Sequence, residues 1–122
     1  MEQIQENKNY VLDLKDRLNE VIKGLNEEEA KRLKEEGFIN ECFFKPDGTL
    51  TDNYKVTLKE KKKYFYIDFG TSGAFMVSKE DFNIFNIKGY GTPNLNKCYA
   101  SVFLINIELL HKLRWDYRRW FF

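Results

Sequence analysis

The side chains best equipped for chemistry in this 122-residue chain are lysines and arginines interleaved with aromatic rings. Lys59, Lys61, Lys62 and Lys63 cluster beside Tyr64 and Tyr66. Ammonium groups placed in this way can contact phosphate while the neighbouring rings stack on bases. Near the C-terminus His111, Arg114, Trp115, Arg118 and Phe122 recur at helical spacing, bordered by Arg119. Three of the five arginines fall within the last nine residues, and Arg and Trp are the residues that interfaces most often use as anchors. A guanidinium forks onto phosphate or carboxylate, and an adjacent indole adds desolvated contact area. The candidate partner-binding residues are therefore Arg114, Trp115, Arg118, Arg119, Lys59, Lys61 and Lys62.

Acid–base and metal chemistry have less to draw on. His111 is the only histidine, and Glu108 is its only acidic neighbour at helical spacing, so it reads as a partly exposed helix residue. Cys42 and Cys98 stand far apart with no CxxC pattern, which excludes the usual zinc spacings and predicts two buried free thiols. Gly89-Tyr90-Gly91 lacks the third glycine of a dinucleotide site. Lys88-Gly89-Tyr90-Gly91 begins like an RNA-binding strand motif, but Thr92-Pro93 would break a central strand. The expectation is a chain with no catalytic residue, no metal site and no cofactor. Against it stands Pro46-Asp47 followed by Asp68-Phe69-Gly70, which resembles the signature of the PD-(D/E)xK nucleases. That resemblance implies that Asp47 and Asp68 hold a divalent metal, which polarises phosphate and generates the attacking hydroxide. Gly70 stands where the family has its assisting lysine, and Pro46-Asp47-Gly48 also reads as a turn. A second match, Glu60-Lys61-Lys62, falls at a hairpin tip.

Composition bounds the alternatives. Hydrophobic residues at 43% and charged residues at 32% describe a globular chain, and the length suits one domain spanning 1–122. A net charge of +1 gives no global field. Charge is nonetheless uneven: residues 1–41 carry seven basic and eleven acidic side chains, residues 42–97 nine and six, and residues 98–122 four and two. The acidic start without an apolar run behind it predicts no secretory signal and a cytoplasmic location. The apolar run near residues 98–110 is interrupted by Asn106 and Glu108 and falls short of the roughly 20 residues a membrane span needs. Lys exceeds Arg, and Asn, Ile, Phe and Tyr are plentiful, as an AT-rich genome would produce.

The elements that must position these side chains are organised around residues 54–77. Tyr54, Val56 and Leu58 alternate with polar residues, as do Phe65, Ile67 and Phe69, which predicts two half-buried strands. A turn at Lys61-Lys62 would pair Leu58 with Phe65, Val56 with Ile67 and Lys55 with Asp68. A second turn at Gly70–Gly73 returns Ala74–Val77 beside the same strand, apolar on both faces, so helices are expected over both. Ile4, Val11, Leu14, Leu18, Val21 and Leu25 form a helical seam. Gly24 reads as that helix's end, and Asn26 with Glu29 as the capping box of a second helix to Glu36, closed by Gly37. This predicts a helical hairpin over residues 1–37 that packs on the sheet, with a coiled-coil homodimer through the seam as the alternative.

Residues 38–44 read as a strand and Lys45–Gly48 as a turn. Ser78 and Asp81 open a short helix near 79–86, residues 89–97 form a loop, and residues 98–105 form a closing strand, with a helix as the alternative because a helical period also fits. Asn106 caps a C-terminal helix over 106–122 with Ile107, Leu110, Leu113, Tyr117 and Phe121 inward. The predicted fold is thus α+β, with an N-terminal helical hairpin on an antiparallel meander. The predicted function is binding rather than catalysis, with docking on a macromolecular partner, either a nucleic acid or a nucleic-acid-processing protein, and no membrane. A phage or mobile-element inhibitor of a host defence nuclease is one form such a protein takes. The alternatives are a metal-dependent nuclease with a degenerate site and a dimeric structural subunit.

Overall fold

A computed structural model describes the backbone of residues 2–121 and the side chains of residues 13–114. The fold is α+β. A long helix, α1 (Glu2–Glu35), is followed by five strands and a second helix, α2 (Ile107–Phe121). The strands are β1 (Val56–Glu60), β2 (Tyr64–Phe69), β3 (Ser72–Ser78), β4 (Asn83–Gly89) and β5 (Thr92–Ser101). They form one antiparallel sheet in sequence order. No helix among the described residues is long and apolar enough to cross a membrane.

α1 is one continuous helix of 34 residues, not the expected hairpin. Gly24 is helical, and its missing side chain serves a close approach. A Cβ there would stand 2.7 Å from the Ile107 side chain at the start of α2. Asn26 caps a strand rather than a helix. Its Oδ1 accepts from the Val56 N–H at 2.7 Å and its Nδ2 donates to the Val56 carbonyl at 3.0 Å. Both backbone groups at the entry to β1 are thereby satisfied by a side chain from α1. Asn26→Ala is expected to lower stability by about 1–3 kcal/mol, the cost of leaving buried backbone groups unpaired, as read from urea unfolding. Gly37 does end the helix. At φ +85° it lets Phe38 N–H bond the Leu33 carbonyl and its own N–H bond that of Lys34, the Schellman arrangement.

Residues 38–44 form turns and not a strand. Asn40 Oδ1 takes the Cys42 N–H, and only an isolated bridge joins Phe44 to Leu50. Cys42 is consequently exposed, as is Cys98 on β5, contrary to the expectation for both thiols. The predicted turn at 45–48 is present, with the Gly48 N–H on the Lys45 carbonyl at 2.9 Å.

The β1–β2 hairpin keeps the expected faces but shifts by two residues. Val56 stands opposite Phe69, Leu58 opposite Ile67, and Asp68 opposite Thr57 rather than Lys55. The turn is at Lys62-Lys63, closed by the Lys61 N–H on the Tyr64 carbonyl. A shift of two preserves strand parity, so the apolar face survives while every partner changes. Ser78 ends β3 instead of opening a helix. Its Oγ accepts from the N–H groups of Glu80 and Asp81, but Phe82 adopts φ +64°, and the chain leaves the turn as β4. Residues 89–97 are not a loop: Tyr90-Gly91 is the tip of a β4–β5 hairpin. Pro93 is tolerated because β5 is an edge strand. β5 ends at Ser101, short of the expected limit, and turns through residues 102–104.

Leu14, Leu18, Val21 and Leu25 of α1 are buried with Val56, Phe65, Ile67, Phe69, Phe75, Val77 and Ile84 of the sheet. The described part of the seam therefore covers the chain's own sheet and is not presented for a coiled coil; Ile4 and Val11 lie outside the described side chains. Leu110 of α2 joins the same core. Arg17 fastens the connection, donating from Nε to the Val102 carbonyl and from Nη2 to that of Ile105, both at 2.9 Å. Both helices thus meet the sheet on one face, not on opposite faces as expected. The other face carries Lys59, Tyr66, Met76 and Phe85 in register across four strands.

Candidate functional site

β2 divides its side chains between these faces. Phe65, Ile67 and Phe69 enter the core, which leaves Tyr64, Tyr66 and Asp68 on the helix-free face. Register places Tyr66 beside Lys59 of β1 and Met76 of β3. Asp68 follows at a bulge where β2 slips against β3 and faces Gly73. Gly73 leaves room for the β4–β5 tip: an added Cβ would stand 2.8 Å from the Tyr90 ring and 2.9 Å from Ile87. Tyr90 therefore lies against the sheet backbone, edge-on to Tyr66 at 5.4 Å between centroids.

The tyrosine reaches Asp68 from this position. Its hydroxyl donates to Asp68 Oδ2 at 2.9 Å, and Lys59 Nζ stands 3.4 Å from both that oxygen and the hydroxyl. Asp68 is only 3% exposed, whereas Tyr90 is 56% exposed. The hydrogen bonds to Tyr90 and Asp68, with the Asp68 charge, hold the Lys59 amine above the ordinary lysine range. Asp68 Oδ1 is buried and has no hydrogen-bond partner among the described residues. Lys59 lies 5.8 Å from the centre of the Tyr90 ring and Lys61 6.0 Å from that of Tyr66, both within cation–π range. Lys62 and Lys63 are exposed at the tip beside them. Lys59, Lys61 and Lys62 are thus brought to one surface, as their spacing implied. Asp68 and Tyr90 escaped the sequence reading as partners because they come together only through the β4–β5 hairpin.

The C-terminal stripe has a different fate in its described part. His111 is buried, not partly exposed, and its Nε2 meets Glu29 Oε1 of α1 at 3.2 Å. Arg32 Nε donates to the same oxygen at 2.8 Å. Burial pushes the Glu29 carboxyl upward, but the His111 and Arg32 hydrogen bonds and the Arg32 charge outweigh it, leaving the carboxyl below the ordinary glutamate range. The Arg114 guanidinium lies 5.5 Å from the centre of the Phe69 ring and is partly buried. The stripe therefore begins as a contact within the chain, because α2 packs beside α1 on the same face of the sheet. The side chains of Trp115, Arg118, Arg119 and Phe122 lie outside the described residues, as do those of Tyr117 and Phe121. Asn106 caps α2 as expected, its Oδ1 accepting from the Leu109 N–H at 3.0 Å.

The two carboxylates of the nuclease-like pattern are engaged separately. Asp47 stands in the exposed turn, where its Oδ1 accepts from the Thr49 hydroxyl and N–H at 2.6 and 3.0 Å. These bonds hold its carboxyl below the usual range. Asp68 is buried beneath Tyr90. Glu60 of the second match pairs with Lys79 at 2.9 Å and with Lys15 at 3.5 Å. Among the described residues no group of three or more His, Cys, Asp and Glu side chains is placed to hold a metal, so the residues present do not fit the metal centre that the resemblance implies.

The chain is an α+β protein with a basic, tyrosine-bearing sheet face opposite its helices. Comparison with protein-family models, curated proteins and solved structures finds no match.

Proposed function

We propose that the chain is a non-catalytic binding protein that docks single-stranded nucleic acid on the helix-free face of its sheet. The observation that carries this reading is the pairing of Lys59 with Tyr90 and Lys61 with Tyr66 on one surface, beside the exposed Lys62 and Lys63. Phosphates meet the ammonium groups while unstacked bases lie on the phenol rings, a combination that binds single strands with little sequence demand. A duplex hides its base faces in the stack and would use only the lysines.

The test is fluorescence anisotropy with labelled single-stranded DNA and RNA at several salt concentrations. Affinity should fall steeply with salt, with a slope of about 0.7 per phosphate contacted. Replacing Lys59, Lys61 and Lys62 together by alanine should flatten that slope. Tyr66→Ala should weaken binding by about 1–3 kcal/mol, the cost of one lost base stack. Absence of binding at low salt, or binding indifferent to these four substitutions, would overturn the reading. The oligonucleotides should also emerge uncut after incubation with Mg²⁺ or Mn²⁺. Cleavage abolished by Asp68→Ala would establish the nuclease instead.

A further inference from the structure

We propose that Asp68 is the base-reading group of this face, that it selects guanine, and that the Tyr90 tip is the cover which guanine displaces. The inference rests on the single-strand reading above. A carboxylate has two oxygens that only accept hydrogen bonds, and burial makes each unmet acceptor costly. Asp68 is 3% exposed, yet among the described residues its hydrogen bond and its ion pair both fall on Oδ2, while Oδ1 has no hydrogen-bond partner. The two groups that hold Oδ2 are both accessible from solvent. Lys59 is more than half exposed, and so is Tyr90. The hairpin that carries Tyr90 loses regular pairing on both sides of Ile87, with register shifts at Phe85/Ile87 and Ile87/Gly89. The cover over Asp68 is thus an exposed ring on an irregular strand end, and below it lies Gly73, with no side chain in the way.

A ligand that replaces the Tyr90 hydroxyl must supply donors for both oxygens at once. Guanine does so, because its N1–H and N2–H point the same way and match the two oxygens of a carboxylate. Adenine and cytosine each present one amino donor beside a ring nitrogen acceptor, which would face the second oxygen. Thymine and uracil present one imino N–H between two carbonyls. Single-stranded bases expose this edge, and a base entering above Gly73 would occupy the place where the Tyr90 ring meets Tyr66. Exchange of one phenol donor for two base donors satisfies Oδ1, which the closed arrangement leaves bare.

The test uses thymine-rich oligonucleotides that differ only at one central base: guanine, adenine, cytosine, thymine or hypoxanthine. The guanine-bearing strand should bind about tenfold tighter than the others, in the range of a good bidentate pair. Hypoxanthine, which lacks the N2 amino group, should lose most of that advantage. Asp68→Asn should bring the guanine strand to the level of the rest, and Tyr90→Phe, which removes the phenol donor from Oδ2 but leaves the Asp68 side chain in place, should widen the preference. Equal binding of all five strands, or a guanine preference that survives Asp68→Asn, overturns the assignment of Asp68 and leaves the single-strand reading in place. If Asp68→Asn fails to fold, as judged by circular dichroism, the hypoxanthine comparison on the unaltered chain decides. No binding to any strand at low salt overturns both.

Discussion

Glu29→Ala is expected to lower the unfolding free energy by about 3–5 kcal/mol, the usual cost of removing one partner from a buried charged pair. Glu29 is 2% exposed, and one oxygen receives both His111 Nε2 and Arg32 Nε. Its removal leaves a buried imidazole without its hydrogen-bond partner among the described residues, and a guanidinium that has lost its shorter contact. The effect should depend on pH in a defined direction. The folded carboxyl lies below the ordinary glutamate range, so the folded state binds its proton less readily than the unfolded state does. Its stabilisation is therefore complete above the ordinary glutamate range and is lost as pH falls through the depressed folded value. Urea midpoints of the native chain and Glu29→Gln should differ most near neutrality and converge in acid. A difference that stays constant down to strong acid would show that the carboxylate's charge is not what holds α2 to α1.

Leu18→Ala should cost about 2–5 kcal/mol, because it deletes a large side chain from a core that cannot fully collapse. Leu18 is 0% exposed and lies between the buried Leu14 and Val21 on the face that covers the sheet. Leu104, at 84% exposure, provides the control. Leu104→Ala should change stability by no more than about 0.5 kcal/mol. The contrast also tests the role of the helical seam. If Leu18→Ala proves as mild as Leu104→Ala, the residues from Leu14 to Leu25 do not cover the sheet, and the arrangement of α1 is wrong.

Periodicity is a local property, and it sets which apolar side chains of α1, β1 and β2 turn inward. Val56, Leu58, Phe65, Ile67 and Phe69 share a face by strand parity alone, and a turn displaced by one residue leaves that parity intact. Leu14, Leu18, Val21 and Leu25 share a face by helical period, and a sheet needing a cover gave them their use. Asn106 at the head of α2 could be read because its cap closes within the next helical turn. The grouping of Lys59, Lys61 and Lys62 at one end of a hairpin was equally legible, since only the intervening residues set it.

Contacts between distant segments chose what the ambiguous polar and glycine signals meant. Gly24 and Asn26 carry the same local message whether a helix ends or another element approaches. Ile107 and Val56, both remote in sequence, chose the second meaning. Ser78 and Asp81 begin a helix or a tight turn with the same hydrogen bonds, and the pairing of β4 with β3 chose the turn. No spacing joins Glu29 to His111 across 82 residues, or Asp68 to Tyr90 across 22. The first pair exists because α1 and α2 cover the same face of the sheet. The second exists because a bulge, a glycine without a side chain and an irregular hairpin bring a phenol over a buried carboxylate. Local patterns specify what a segment buries, and only packing between distant segments specifies which polar groups meet.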